Sequence, residues 1–218
     1  MECRLLLHVD ELIERYPKLC CCKDSIIDAY KIIEDSYMTD HKLLAVGNGG
    51  SSCDASHIVG ELMKSFMIPR PCCKEFTDKI LKIDSDRGDL IAKKIGKSIP
   101  AISLCENQGL STAFLNDVSD GARFIYAQQL YGYGKTGDVL LAISTSGNSE
   151  NIINAAIVAK AMNIKVIALT GENGGELSKY ADVTIKAPET ETYKVQELHL
   201  PIYHCLCMMI EEKLFGTK

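Results

Sequence analysis

Ser144-Thr145-Ser146-Gly147-Asn148-Ser149 packs four hydroxyls around a glycine within six residues. Hydroxyl donors, a pliable glycine backbone and the start of a helix together make an anion site, and phosphate suits it best. A plain helix cap would need one such serine, not four hydroxyls. A second segment, Asn48-Gly49-Gly50-Ser51-Ser52, has two glycines that let the backbone approach a ligand, and Ser51 or Ser52 can cap the helix after it. Neither segment continues into Gly-Lys-Ser/Thr, and the glycine spacing is not that of a dinucleotide fingerprint. No nucleotide cofactor is expected.

Titratable groups follow each loop at helical spacing. His57 and Glu61 stand four apart, on one face of the helix behind the first loop. Near the C-terminus Gln196, Leu200 and His204 form an i, i+4, i+8 ladder, so Gln196 and His204 share a face. A histidine in an apolar run such as Ile202-Tyr-His-Cys-Leu206 is ordinarily a hydrogen-bonded core residue, and a single His/Glu pair ordinarily lies on a surface. Spacing alone leaves both readings open.

The elements that must carry these groups alternate. Short apolar runs at Lys42–Gly47, Ala101–Leu104, Asp138–Ile143, Lys165–Leu169 and Val183–Lys186 read as buried strands. Helical patterns cover Ser52–Phe66, Val118–Tyr131, Glu150–Met162, Glu176–Tyr180 and Thr192–Phe215, the last with Pro201 as a kink point. The first forty residues read as two helices separated at Pro17. Strands alternating with helices predict an α/β fold, a three-layer doubly wound parallel sheet with a helical N-terminus. In such sheets ligands bind beyond the carboxyl ends of the strands, where both glycine loops fall. Residues 72–98 form a Lys/Asp-rich amphipathic insert, expected as a helical decoration of a single domain spanning 1–218.

Composition narrows the class. With 24 Lys+Arg against 29 Asp+Glu the net charge is −5, and no run of five like charges occurs, so neither nucleic acid nor an anionic membrane is an expected partner. The apolar start Leu5-Leu6-Leu7 is too short for a signal-peptide core, and no stretch nears the roughly 18 apolar residues that span a bilayer. The ten cysteines include adjacent runs, Cys20-Cys21-Cys22 and Cys72-Cys73, and no CxxC pair, which fits a reducing cytoplasm.

Three segments taken in order resemble a known family. Val46-Gly-Asn-Gly-Gly-Ser-Ser-Cys-Asp-Ala-Ser-His57-Ile-Val-Gly-Glu61 and Ile143-Ser-Thr-Ser-Gly-Asn-Ser149 look like the sugar isomerase (SIS) family. With Val195-Gln196-Glu-Leu-His-Leu-Pro-Ile-Tyr-His204 they resemble its phosphoheptose isomerases. The resemblance runs from about Lys42 to Phe215 and implies a flavodoxin-like sheet. It implies that Asn48, Gly49, Gly50, Ser51, Ser144, Thr145, Ser146, Ser149, Gln196 and the pair Asn116-Asp117 bind a phosphosugar, with Glu61 and His204 as the acid/base pair. In zinc-bearing members His57, Glu61, Gln196 and His204 match the metal ligands, one ion per subunit. The family also implies a homotetramer with sites between subunits, residues 1–40 serving as a helical oligomerisation segment.

The implied reaction converts D-sedoheptulose 7-phosphate to D-glycero-D-manno-heptose 7-phosphate through an enediol. A carboxylate suits the carbon-bound proton and a histidine the oxygen-bound one. Two other readings stand beside it: a non-catalytic tetramer binding a protein such as the replication initiator DnaA, and an isomerase of another phosphosugar. Three features depart from the family. The 72–98 insert lengthens its connection, and Ser65 and Tyr193 stand where a basic and an acidic residue are expected.

Overall fold

A computed structural model of the chain describes residues 3–216, so the first two residues of the expected 1–40 segment and the last two of the chain lie outside it. Helices α1 (Cys3–Arg15) and α2 (Lys23–Met38) flank a 3-10 turn at Pro17–Cys22 and lead into β1 (Leu43–Val46). Then come α3 (Gly50–Met63), α4 (Lys74–Ile83), α5 (Ser85–Lys94), β2 (Ala101–Ser103), α6 (Gln108–Asp117) and α7 (Ile125–Tyr133). The chain continues through β3 (Val139–Ser144), α8 (Glu150–Ala161), β4 (Lys165–Gly171), β5 (Val183–Ala187) and α9 (Thr192–Phe215).

The five strands are all parallel, in the order β2-β1-β3-β4-β5. Successive side chains on a strand face opposite ways, so each central strand feeds two cores. Leu43, Ala45, Leu141, Ile143, Ile167 and Leu169 join α1, α2, α3 and α9 on one side of the sheet. Leu44, Val46, Leu140, Ala142, Val166 and Ala168 join α7 and α8 on the other. Every residue of β3 is buried, which is why it reads as a continuous apolar run and not as an alternating one. Each buried Leu or Ile contributes about 1.5–3 kcal/mol. The chain leaves β1 in one direction to β2 and in the other to β3, so the sheet has its topological switch point at the carboxyl ends of β1 and β3.

Two expected elements change. The helix expected over 118–131 is instead α7, because Asp120 adopts a left-handed φ of 55° that a helix cannot pass through. Ahead of it stands α6, capped by the Asn107 side chain accepting from the Leu110 N–H at 3.0 Å. Glu176–Lys179 is a 3-10 turn and not an α-helix. The 72–98 insert is the hairpin of α4 and α5, closed by a bridge between Pro71 and Gly96, and α4 buries none of its residues. Helix α9 runs through Pro201 without ending there. No helix among the described residues is long and apolar enough to cross a membrane.

Candidate active site

Both glycine loops stand at the switch point. Ser144 ends β3, and its Oγ donates to Ser149 Oγ at 3.1 Å, which closes the loop on itself. Gly147 turns the loop at φ 68°, and a Cβ there would stand 2.0 Å from the Gly174 carbonyl oxygen, so only glycine fits. The loop is fixed from the next connection as well: the Glu176 N–H donates to Asn148 Oδ1 and the Leu177 N–H to the Gly147 carbonyl. Asn48 and Asn151 exchange amide hydrogen bonds of 2.8 and 3.0 Å, which join the β1 loop to α8.

Between the loops lies a cavity of about 270 Å³ lined by Asn48, Gly49, Gly50, Ser51, Ser144, Thr145, Ser149, Thr192 and Gln196. Helices α3 and α8 both begin at it, and neither N-terminus receives a side-chain cap. The positive ends of both helix dipoles therefore face the cavity, an arrangement that suits an anion. Gln196 lies so close over α3 that a Cβ on Gly50 would meet its Nε2 at 2.6 Å. A side chain at the second glycine would push the Gln196 amide from its present place over α3.

The titratable groups gather farther along the same two helices. His57 Nε2 is 3.2 Å from Glu61 Oε1 and 3.4 Å from His204 Nε2. Tyr203 Oη lies 3.0 Å from His57 Nδ1 and donates to Asp54 Oδ1 at 3.3 Å. Lys64 Nζ lies 2.5 Å from Glu61 Oε2, and the Phe66 ring tilts against the His204 ring at 5.6 Å. Burial and the neighbouring His57 hold the His204 imidazole below its ordinary pKa against the pull of Glu61, so it is neutral at pH 7 and can both accept and donate a proton. Burial raises the Asp54 carboxyl, opposed by the Tyr203 hydrogen bond and by His57.

Asn48, Gly49, Gly50, Ser51, Ser144, Thr145, Ser149 and Gln196 therefore share one cavity, and His57, Glu61 and His204 share one cluster. Ser146 is exposed and uses its Oγ to accept from the Asn148 N–H. Asn116 and Asp117 are not brought to the cavity: both are exposed on the last turn of α6, where Asn116 donates to Asp117. The sequence reading missed Asp54, Tyr203, Lys64 and Phe66. Asp54, His57 and Glu61 fall at i, i+3, i+7 on one face of α3, a signal that was available for the first of these.

In kind, the donors suit zinc: two imidazoles and a carboxylate converge, and Tyr203 holds the far nitrogen of His57 as an outer partner holds a ligating histidine. Among the described residues, however, no group of three or more His, Cys, Asp and Glu side chains is arranged to hold a metal ion. The fit is one of donor chemistry and not of spacing. Every cysteine whose side chain is described is unpaired.

The chain is similar to known proteins in both sequence and structure. Residues 99–171 match the SIS domain model. The phosphoheptose isomerase of Leptospira biflexa is 41% identical over 188 residues, covering 86% of this chain and 83% of that protein. Among solved structures, the phosphoheptose isomerase of Neisseria gonorrhoeae superposes with a TM-score of 0.71 at 29% identity, over 96% of this chain and 97% of that one. The enzyme of Francisella tularensis gives 0.70 at 29% identity over 94% and 98%.

Proposed function

The chain belongs to the phosphoheptose isomerase family of SIS-domain proteins, and on that premise we propose that it interconverts D-sedoheptulose 7-phosphate and D-glycero-D-manno-heptose 7-phosphate by proton transfer between Glu61 and His204. The observation that carries the reading is the meeting of two distant helices at one side chain: Glu61 from α3 and His204 from α9 both reach His57, at 3.2 and 3.4 Å. A buried carboxylate beside a neutral imidazole supplies the base and the proton relay that an aldose–ketose isomerase needs.

The phosphate sits between the loops, held by Ser144, Thr145 and Ser149 and by the N-termini of α3 and α8. From Gly50 to His57 α3 rises about 10 Å, and from Gln196 to His204 α9 rises about 12 Å. That span is on the scale of an extended phosphosugar. Glu61 removes the proton from C1 of the ketose and returns it to C2. His204, neutral at the working pH, carries the oxygen-bound proton from O1 to O2.

Zinc is part of the proposal. His57, Glu61, Gln196 and His204 would hold it, one ion per subunit, and a bound zinc would polarise the substrate carbonyl. The same reading includes a cytoplasmic homotetramer in which a neighbouring subunit completes the mouth of the site, and where Asn116 and Asp117, exposed on α6, find their substrate.

The test separates chemistry from scaffold. Glu61→Gln keeps the shape and removes the basicity, and should lower turnover on the order of 10² to 10⁴. His204→Gln should cost a similar factor, and the double variant far less than the product of the two. Glu197→Gln, an exposed carboxylate on α9, should stay active. Loss of turnover in Glu197→Gln with survival in Glu61→Gln would reject the assignment.

A further inference from the structure

We propose that Lys64 is a further catalytic residue of this site: its ammonium stabilises the oxyanion that forms on the substrate when Glu61 removes the carbon-bound proton. The proposal rests on the isomerase reading and adds to it a cation of the chain's own, which acts on the developing charge whether or not zinc is bound.

The pair formed by Lys64 and Glu61 is not an ordinary surface pair. Its carboxylate is the proton acceptor and is buried, while the ammonium is 2.5 Å from Oε2 and still reaches solvent. Lys64 stands just past the end of α3 in extended conformation, and its side chain reaches back to Glu61, three residues earlier. Both flanks of Lys64 are fixed. Arg70 donates to the Glu61 and Leu62 carbonyls on one side, and Glu211 accepts the Phe66, Met67 and Ile68 N–H groups on the other. The ammonium also lies 5.8 Å from the centre of the Phe66 ring, and that ring packs on His204. Lys64 therefore leaves an anchored segment, pairs with Glu61, and shares with His204 the Phe66 ring. Arg15, whose charge also acts on His204, lines the cavity between α1 and α9.

Charge movement during the reaction explains why a cation belongs there. Glu61 takes the proton from C1, and the C1–H electron pair becomes the C1=C2 bond. The carbonyl pair moves to O2, which becomes the oxyanion. Negative charge thus leaves Glu61 as it appears on O2, and a cation already paired with Glu61 stands where it arrives. Lys64 keeps its proton throughout and only donates a hydrogen bond. His204 then carries the O1 proton to O2, Glu61 returns its proton to C2, and the electron pair on O1 closes the C1=O bond.

The test compares wild type, Lys64→Met and Lys64→Arg, first in turnover of sedoheptulose 7-phosphate and then in binding two probes. One probe is a 6-phosphohexonohydroxamate, whose oxygens stand where the enediolate oxygens form; the other is the reduced polyol, sedoheptitol 7-phosphate. Lys64→Met should lose about 10- to 100-fold in kcat with KM nearly unchanged, less than a fully buried oxyanion donor loses because the ammonium reaches solvent. It should bind the hydroxamate weaker by a similar factor and the polyol as the wild type does, while Lys64→Arg recovers most of both. Equal hydroxamate binding in Lys64→Met, a loss confined to KM, or an arginine variant as impaired as the methionine one overturns the role of Lys64 alone. A wild type that binds neither probe and turns nothing over refutes the isomerase reading, and this proposal with it.

Discussion

Removing the charge of Glu211 should unfold the chain more readily than any change at the active site itself. Glu211 and Arg70 are both fully buried, and the carboxylate is heavily used. Its Oε1 accepts from the Phe66 N–H and from Arg70 Nε, its Oε2 from the Met67 and Ile68 N–H groups, at 2.7–3.1 Å. Glu211→Gln keeps the volume but turns one acceptor into a donor facing backbone N–H groups, and strands a buried guanidinium. Breaking a buried pair from one side costs about 3–5 kcal/mol. At about 2–4 °C per kcal/mol for a chain of this size, Tm should fall by about 6–20 °C. Arg70→Met should cost a comparable amount, since the Glu61 and Leu62 carbonyls lose their donor. The double variant should be milder than the sum by about 1–3 kcal/mol, because the second change removes a partner already stranded. Urea titration of all four proteins at one concentration gives the cycle. Acid supplies a second check. Burial pushes the Glu211 carboxyl up, but the Phe66 and Met67 N–H groups and Arg70 outweigh it and hold it below the usual range. Its stabilisation is therefore present above the ordinary carboxylate pKa and disappears as pH falls through the lower folded value, so Glu211→Gln should flatten the acid side of the stability curve. Singles that add within about 0.5 kcal/mol, or a Glu211→Gln cost below about 1 kcal/mol, would refute the view of the pair as one anchored unit.

Ser144→Ala or Thr145→Ala should raise KM more than it lowers kcat, because a phosphate remote from the reacting carbons supplies mostly uniform binding; steady-state kinetics showing a normal KM and a crippled kcat would place the loop at the reacting end. His199, buried with its Nδ1 unpartnered and its Nε2 3.2 Å from the Thr170 carbonyl, has its pKa lowered by burial to about 4. The unfolded chain then binds the extra proton first, so stability should fall as pH drops from about 6.5 toward 4, by at most about 3 kcal/mol, and Tm measured across that window should decline less in His199→Gln. Protein purified without chelator should carry about one zinc per subunit by elemental analysis, and a chelator should depress turnover that added zinc restores; full activity in metal-free protein would leave Glu61 and His204 as acid/base groups only.

How much of this was legible in the sequence follows from where each feature gets its cause. The strands were legible because a parallel strand buried on both faces must be a continuous apolar run, and Val139–Ser144 is one. Helix α9 was read with its observed ends, since Thr192–Phe215 is long and strongly patterned. The glycine loops were legible because their chemistry is local: residue types, and the turn at Gly147 that only glycine permits. The region between β2 and β3 was misread because the left-handed turn at Asp120 breaks what looked like one helical pattern, although Asn107 offered a capping signal for α6. Tyr203 was hidden for a different reason. Within Ile202–Leu206 it looks like core, and it is 1% exposed. Only the packing of α9 on α3 sends its hydroxyl to His57 and Asp54. Lys64 was hidden likewise, since an i, i+3 Glu/Lys pair has no chemistry until Phe66 and Arg70 fix the segment after it.

The two halves of the site are parts of one ruler. Helix α3 begins at the anion cavity and carries His57 and Glu61 farther on; α9 begins beside the same cavity with Thr192 and Gln196 and carries Tyr203 and His204 farther on. The helices pack on each other through Ala55, Ile58, Leu62, Ile202, Tyr203 and Leu206, all buried in one core. Helix rise, a fixed property of the backbone, thus sets the distance from phosphate to proton-transfer groups. The α3 and α9 sides of the site cannot shift against each other without repacking the shared core. A substrate one carbon shorter, anchored by its phosphate, would bring its carbonyl short of Glu61 by about one bond, and loss of alignment on that scale is enough to lower turnover on the order of 10²-fold. If helix rise sets the reach, Ile58→Ala or Ile202→Ala in the α3–α9 contact, which touch neither phosphate nor base, should relax the discrimination between heptose and hexose phosphates while lowering stability by about 2–5 kcal/mol. A panel of ketose phosphates assayed with these two variants decides it: discrimination that stays at the wild-type ratio in a folded variant would show that length is read by the loops instead.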